Sequence, residues 1–183
     1  SWTVLLAEDF ESDFPGATWK LSGNPTWDRE RYRPRGGDWS GYCAGGDSLA
    51  VTPPGPYPDN MKAWMTSGPF DLSDATAAEL RFSYWTRLGA GDELFWGASK
   101  SGFLYRGDKD DGNTPGWRQV TVDLDSLGPG YLGEPQVWIG FKFQSDAAGS
   151  GEGAYLDDIT LRVQRPPDLS VRAYLPLVTR GSY

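Results

Sequence analysis

The chain of 183 residues predicts an all-β fold, an antiparallel β-sandwich with a C-terminal extension. Three observations carry this. Gly (24) and Pro (14) together fill about a fifth of the chain, the density expected where turns are frequent. Aromatic residues reach 14%, with nine Trp, a mix suited to half-buried pleated surfaces. Several runs alternate apolar and polar residues with period two, while no stretch carries a convincing amphipathic helix.

The elements follow in order. Residues 2–10 read as a first strand ending in Glu8-Asp9-Phe10-Glu11. Residues 12–47 are rich in Trp, Arg and Gly, and Trp19, Trp27 and Trp39 are expected in short strands between turns such as Gly23-Asn24-Pro25. Thr52 to Asp59 carries four prolines and is a loop. Residues 63–67 form a candidate strand, and Asp74 to Ala78 a single helical turn. Glu79 to Thr86 alternates, with Leu80, Phe82 and Tyr84 on one face and Trp85 on the other. Strands are also expected at 93–98, 103–106, 119–124 and 137–143, the last with Val137, Ile139, Phe141 and Phe143 inside and Trp138 and Lys142 outside.

The stretch from Gly153 to Leu161 is the most informative, a strand with two acids in its middle. Alternation sends Asp157 and Asp158 to opposite faces and places one of them with Tyr155, Ile159 and Leu161. A carboxylate on an apolar face is costly unless it is hydrogen-bonded, paired or bound to a cation.

Composition narrows the function. A net charge of −8 argues against nucleic-acid binding through phosphate neutralisation and suits divalent-cation sites. The absence of His excludes a Ser-His-Asp triad, a Cys-His pair and a His-built zinc site. Cys43 is the single cysteine, so it forms no intrachain disulfide and is expected as a buried, inert thiol. No apolar run approaches the roughly 20 residues of a membrane span, and no signal peptide is visible. The start at Ser1 fits a processed mature form or a trimmed chain.

Several segments, in order, resemble one family. They are Asp9-Phe10-Glu11-Ser12, Phe70-Asp71-Leu72-Ser73, Ala78 to Trp85, Asp92-Glu93-Leu94, Val120-Thr121-Val122-Asp123-Leu124, Val137 to Phe141, and Ala154-Tyr155-Leu156-Asp157-Asp158-Ile159. Between residues 8 and 162 this set resembles the MAM-like jelly-roll modules, whose bacterial forms accompany secreted peptidases of the immune-inhibitor-A and bacillopeptidase type. The disulfide cysteines of animal members are absent here. The resemblance implies a jelly-roll β-sandwich over residues 1–165, an extracellular or cell-surface bacterial setting and a non-catalytic role. It also implies a structural Ca²⁺, because an acid ending the first strand meets an acid in the last; Glu11 and Asp157 hold those positions, with Asp158 as substitute and Asp38 as a third oxygen donor.

Two further surfaces are expected. Trp85, Trp96 and Trp138 are the outward tryptophans by alternation, candidates for stacking on a glycan; in most of the nine, burial is the commoner fate. Residues 166–183 form a tail separated by Pro166-Pro167, in which Val171, Tyr174, Leu175, Leu177 and Val178 supply an apolar, β-prone segment. Left exposed it would invite association, so it needs a partner, as an edge strand in cis or a donor strand in trans. The leading expectation is thus an adhesive or structural module that docks on protein or on itself. A carbohydrate-binding module is the alternative.

Overall fold

A computed structural model of the protein describes residues 1–167. The alternating runs become β1 (Trp2–Glu8), β2 (Lys20–Ser22), β3 (Thr26–Glu30), β4 (Ser40–Gly46), β5 (Lys62–Phe70), β6 (Ala77–Arg87), β7 (Glu93–Ser99), β8 (Arg106–Asp110), β9 (Arg118–Asp123), β10 (Val137–Gln144) and β11 (Gly153–Gln164). All pair antiparallel. Sheet A runs β3-β4-β11-β6-β9, with β1 also on β11; sheet B runs β2-β5-β10-β7-β8. One 3-10 turn, Leu124–Leu127, follows β9. The two sheets face each other, so the β-sandwich is as the alternation requires.

Between the sheets lie the residues that alternation turned inward. Phe82 of β6 packs 5.0 Å from Phe141 of β10 and 5.2 Å from Trp96 of β7, ring centre to ring centre. Leu80, Ile139 and Phe143 are fully buried beside them. Each such side chain contributes about 1.5–3 kcal/mol on burial, which is what selects this pairing of faces. Cys43 is buried as expected, and desolvation pushes its thiol up to about 12, away from reactivity.

The acid-bearing strand departs from simple alternation. β11 is in register with β6 from Gly153 to Asp157 and again from Thr160 onward, with a bulge between. Asp158 occupies that bulge at φ +50°. Before it Leu156 lies opposite Tyr84; after it Leu161 lies opposite Leu80, so the inward parity changes within one strand. Tyr155 and Asp157 therefore share the outer face of sheet A, while Ile159 and Leu161 are in the core. The expectation that one acid sits with all three apolar residues is corrected by this bulge. Both acids instead reach the same loop, residues 31–39, as described below.

Three local expectations change. Residues 103–105 are not a strand; β8 starts at Arg106. The hydroxyl of Ser99 accepts the N–H groups of Ser101 and Gly102, and that of Ser101 accepts those of Phe103 and Leu104. Backbone donors satisfied locally by serines have no need of a ladder. Residues 74–76 form turns and bends rather than a helix, and Trp19 and Trp39 flank strands rather than lie in them.

One end of the sandwich is fastened by a buried carboxylate. Asp92 is fully buried; its Oδ2 accepts the Tyr57 hydroxyl and its Oδ1 accepts the Asp146 N–H at 2.8 Å. The Tyr57 oxygen in turn accepts the Gly89 N–H at 2.7 Å. Ser145 joins the same loops, accepting from Met61 N–H and donating to the Pro58 carbonyl. The proline-rich segment is thereby tied to both neighbouring turns just before β5 begins.

Candidate functional site

Sheet B turns a patterned face outward. Cross-strand partners share a face, so the register can be read as rungs. One rung runs Ser22–Trp64–Lys142–Phe95–Lys109 across all five strands. The next runs Lys20–Thr66–Gly140–Gly97–Gly107. The second rung is almost without side chains, and its buried Gly140 and Gly97 form the floor of a trough over which neighbouring rings lie.

Aromatic rings line this trough. Trp64 lies 5.9 Å from Phe95 and 5.0 Å from Tyr105. Tyr105 reaches in from the β7–β8 connection and lies against Gly140, where an added Cβ would stand 2.9 Å from its ring. Any larger residue at 140 would lift the tyrosine off the sheet. The Tyr105 hydroxyl is buried without a hydrogen-bond partner, and burial raises its pKa against a smaller lowering from the Thr66 side chain. Phe103, 92% exposed, overhangs the trough from the serine-built turn. Two adjoining clefts, of about 340 and 270 Å³, meet at Lys20, Thr66, Gly102 and Phe103.

Charges border the rings. Lys142 sits 5.8 Å from the Trp64 ring centre and 5.3 Å from that of Phe95, within cation–π range. Glu93 accepts Lys109 at 2.8 Å and Lys142 at 3.2 Å. The Lys109 hydrogen bond is the main cause holding Glu93 below the usual carboxylate range.

The three tryptophans expected outward separate. Trp138 lines the larger cleft, half-buried on the outer face of sheet B, with Gly68 and Gly102 passing close to its indole. Trp96 points inward and packs on Phe82 and Tyr84; β7 begins with Glu93 outward, so its even-numbered residues face the core. Trp85 does face outward on sheet A but is only 6% exposed, because the guanidinium groups of Arg33 (3.7 Å) and Arg87 (4.6 Å) cover it. Neither Trp85 nor Trp96 offers a stacking surface. Sequence alternation does not by itself single out Trp64, Phe95 and Tyr105. The signal for Trp64 was present, since it sits between Ala63 and Met65 in a strand, both of which are buried.

Among the candidate metal ligands, Glu11 and Asp157 are brought to one loop from opposite sides. Asp157 is buried and accepts the N–H groups of Arg35 (2.9 Å) and Gly36 (3.3 Å). Desolvation raises its pKa to about 6. Glu11 accepts the N–H groups of Asp38 and Trp39. Asp158 pairs with the Arg35 guanidinium, and Asp38 brings its N–H rather than a carboxylate contact. The hydroxyl of Ser83, opposite Asp157 on β6, is buried and unpartnered. Among the described residues no three acid or cysteine side chains converge as a metal cage. Val171, Tyr174, Leu175, Leu177 and Val178 lie outside the described residues, and no helix among these is long and apolar enough to cross a membrane.

Comparison with known proteins bears on the fold. No protein-family model matches the chain, and no curated protein matches it. Solved structures do. The K1 cleaved adhesin domain of Lys-gingipain from Porphyromonas gingivalis W83 superposes with TM-score 0.58 at 19% identity, over 87% of this chain and 97% of that one. The CBM22-1 xylan-binding domain from Paenibacillus barcinonensis gives 0.52 at 14%, over 90% and 96%. The family 11 carbohydrate-binding module from Clostridium thermocellum, in complex with a β-1,3-1,4-mixed-linked tetrasaccharide, gives 0.54 at 12%, over 87% and 94%. At such identities the likeness is one of fold: the chain is built as a β-sandwich of the kind used by adhesin and carbohydrate-binding modules.

Proposed function

We propose that the protein is a non-catalytic binding module that holds a glycan chain against the outer face of sheet B. The carrying observation is the rung Ser22–Trp64–Lys142–Phe95–Lys109 beside a floor of glycines. Sugar rings have flat C–H faces that pack on aromatic rings, and hydroxyl rims that seek the polar groups at the edges. Trp64 and Tyr105 supply the rings, Thr66 and Lys20 the rim, and Phe103 a wall. The xylan and tetrasaccharide named for two neighbours of like fold support this choice of ligand class. An extracellular or surface setting belongs to the same reading. So do the MAM-like assignment, supported by the ordered motifs, and the division at residue 165, supported by the end of β11 at Gln164 and the Pro166-Pro167 pair.

The test is a panel of soluble plant and bacterial polysaccharides in affinity electrophoresis. Retardation by at least one, with no reducing ends released, is expected. Silence across the panel, with no change in Trp fluorescence, would remove the reading.

Assembly is the second reading. Among the described residues β1 pairs only with β11, so its other edge has no strand beside it. Residues 166–183 would add there, from the same chain or another. Light scattering on the full chain and on one ending at Arg165 decides it: loss of oligomers on truncation supports assembly, and two monomers end it.

Calcium is the third element. The residues present fit it in kind, being hard oxygen donors on either side of one loop, with a buried carboxylate and an unpartnered Ser83 hydroxyl. Glu11 and Asp157 would hold the ion together with loop carbonyls, and it would supply charge compensation alone. At 100 times its dissociation constant the ion adds about 2.7 kcal/mol. The melting temperature would then be higher by roughly 5–10 °C in millimolar CaCl₂ than in EDTA. Identical melts would show that backbone N–H groups alone satisfy both acids.

A further inference from the structure

The chain is acidic, with a net charge of −8, yet its five lysines are gathered in one place. Lys20 is on β2, Lys62 on β5, Lys109 on β8 and Lys142 on β10, while Lys100 directly follows β7; all five belong to sheet B. The arginines of the described residues lie on sheet A and its loops, Arg106 excepted. Register puts Lys20, Lys62, Lys109 and Lys142 on the outer face with Trp64 and Phe95. Glu93 is the one acid among the strand residues of that face.

Lys100 is paired with Glu134 at 3.6 Å, while the other four ammonium groups are at most partly neutralised. Glu93 is shared between two of them and so neutralises one charge at most. Among the described residues Lys20 and Lys62 make no ion pair, and Lys20 borders both clefts. Lys142 stands between two rings, where a ligand carboxylate could meet it while the sugar plane rests on Trp64. A neutral glycan would use none of this charge. On an otherwise negative molecule, a cationic face focuses the field on one trough and draws anions to it.

Resting on the proposed glycan-binding role of this face, we infer that the glycan it takes is anionic, a polyuronate with a carboxylate on each ring. Spacing supports carboxylates over denser polyanions. The charges are single lysines set apart on different strands, without an arginine fork for sulfate or phosphate. A polyuronate also keeps an uncharged C–H face for the rings.

The experiment is calorimetry on the full chain in EDTA-containing buffer. Polygalacturonate and alginate are compared with their carboxyl-reduced forms, at low salt and at about 0.3 M NaCl, where screening shortens the reach of exposed charges. Both polymers are repeated with K20Q/K62Q/K109Q, whose exposed substitutions leave the core untouched and whose melt is checked. At least one polyuronate should bind about tenfold tighter than its reduced form at low salt, with the gap narrowing at high salt. Each lysine lost should cost about threefold on the polyuronate, so the triple variant loses about 30-fold there, but only about threefold on the reduced polymer, where Lys20 gives up a rim hydrogen bond and no charge pairing is lost. Equal binding of reduced and native polymers overturns the anionic inference and leaves the glycan reading standing. Equal binding of polyglutamate, a single-stranded oligonucleotide or phosphatidylserine vesicles overturns polyuronate as the class. Failure of every carbohydrate, charged or neutral, removes the glycan reading itself.

Discussion

Replacing Asp92 by alanine is expected to cost about 2–4 kcal/mol of folding stability, because it strands the buried Tyr57 hydroxyl and removes the acceptor of the half-buried Asp146 N–H. The Tyr57 hydroxyl and the Asp146 N–H both end on this carboxylate, which has no exposure to water. Asp92→Asn should recover about half, since one oxygen remains for Asp146. The amide N–H₂ then faces a Tyr57 oxygen already engaged with Gly89 N–H. Urea unfolding measures both variants; a loss below about 1 kcal/mol for Asp92→Ala would mean that water takes over both bonds. The effect should extend beyond stability. Asp92 and Ser145 together hold the loop that delivers the chain into β5, and β5 carries Lys62, Trp64 and Thr66. Loosening that entry raises local opening at the start of the strand, so the amides of Met61 and Asn60 should exchange faster than those of β10.

How far the sequence discloses this molecule depends on which signal a residue carries. Alternation in Glu79–Thr86 and Val137–Phe143 is enough to turn Phe82, Ile139 and Phe141 inward, because a one-residue error would put every apolar group into water. The same rule misplaces Trp96, where Leu94, Phe95 and Trp96 follow in succession and only Glu93, at the start of the strand, marks the outer face. For Trp85 alternation gives the correct face but not the environment. Its cover comes from Arg33, 52 residues earlier, on a loop whose path depends on Asp157 accepting its backbone N–H groups. The bulge at Asp158 is likewise invisible to period counting, since it is the extra residue itself that changes the count. The trough on sheet B was legible only in parts: Lys142 and Trp138 outward, without Trp64 beside Lys142. Strand order decides which residues share a rung, and neither composition nor spacing determines that order.

Replacing Trp64 by alanine should weaken glycan binding by at least 30-fold, about 2 kcal/mol, the loss typical of a central aromatic anchor. Trp64 occupies the middle of the face, touching Phe95 on one side and Tyr105 on the other, with Lys142 directly across the ladder. Its ring is half-buried and outside the core, so the cost to folding should be modest beside that to binding. Trp85→Ala makes the informative contrast. That ring is buried on the opposite sheet under two arginines, so its loss should cost about 3 kcal/mol or more in stability and leave the affinity of the folded fraction unchanged. Tryptophan fluorescence titration together with thermal melts of both variants separates the two effects. If Trp85→Ala lost affinity and Trp64→Ala kept it, the ligand surface would lie on sheet A, near the loop held by Glu11 and Asp157. The lysine array of sheet B would then be a solubilising face with no ligand. The reverse pattern assigns binding to sheet B and leaves the arginine-covered side as structure: the two sheets share one core, but only one offers rings that a sugar can reach.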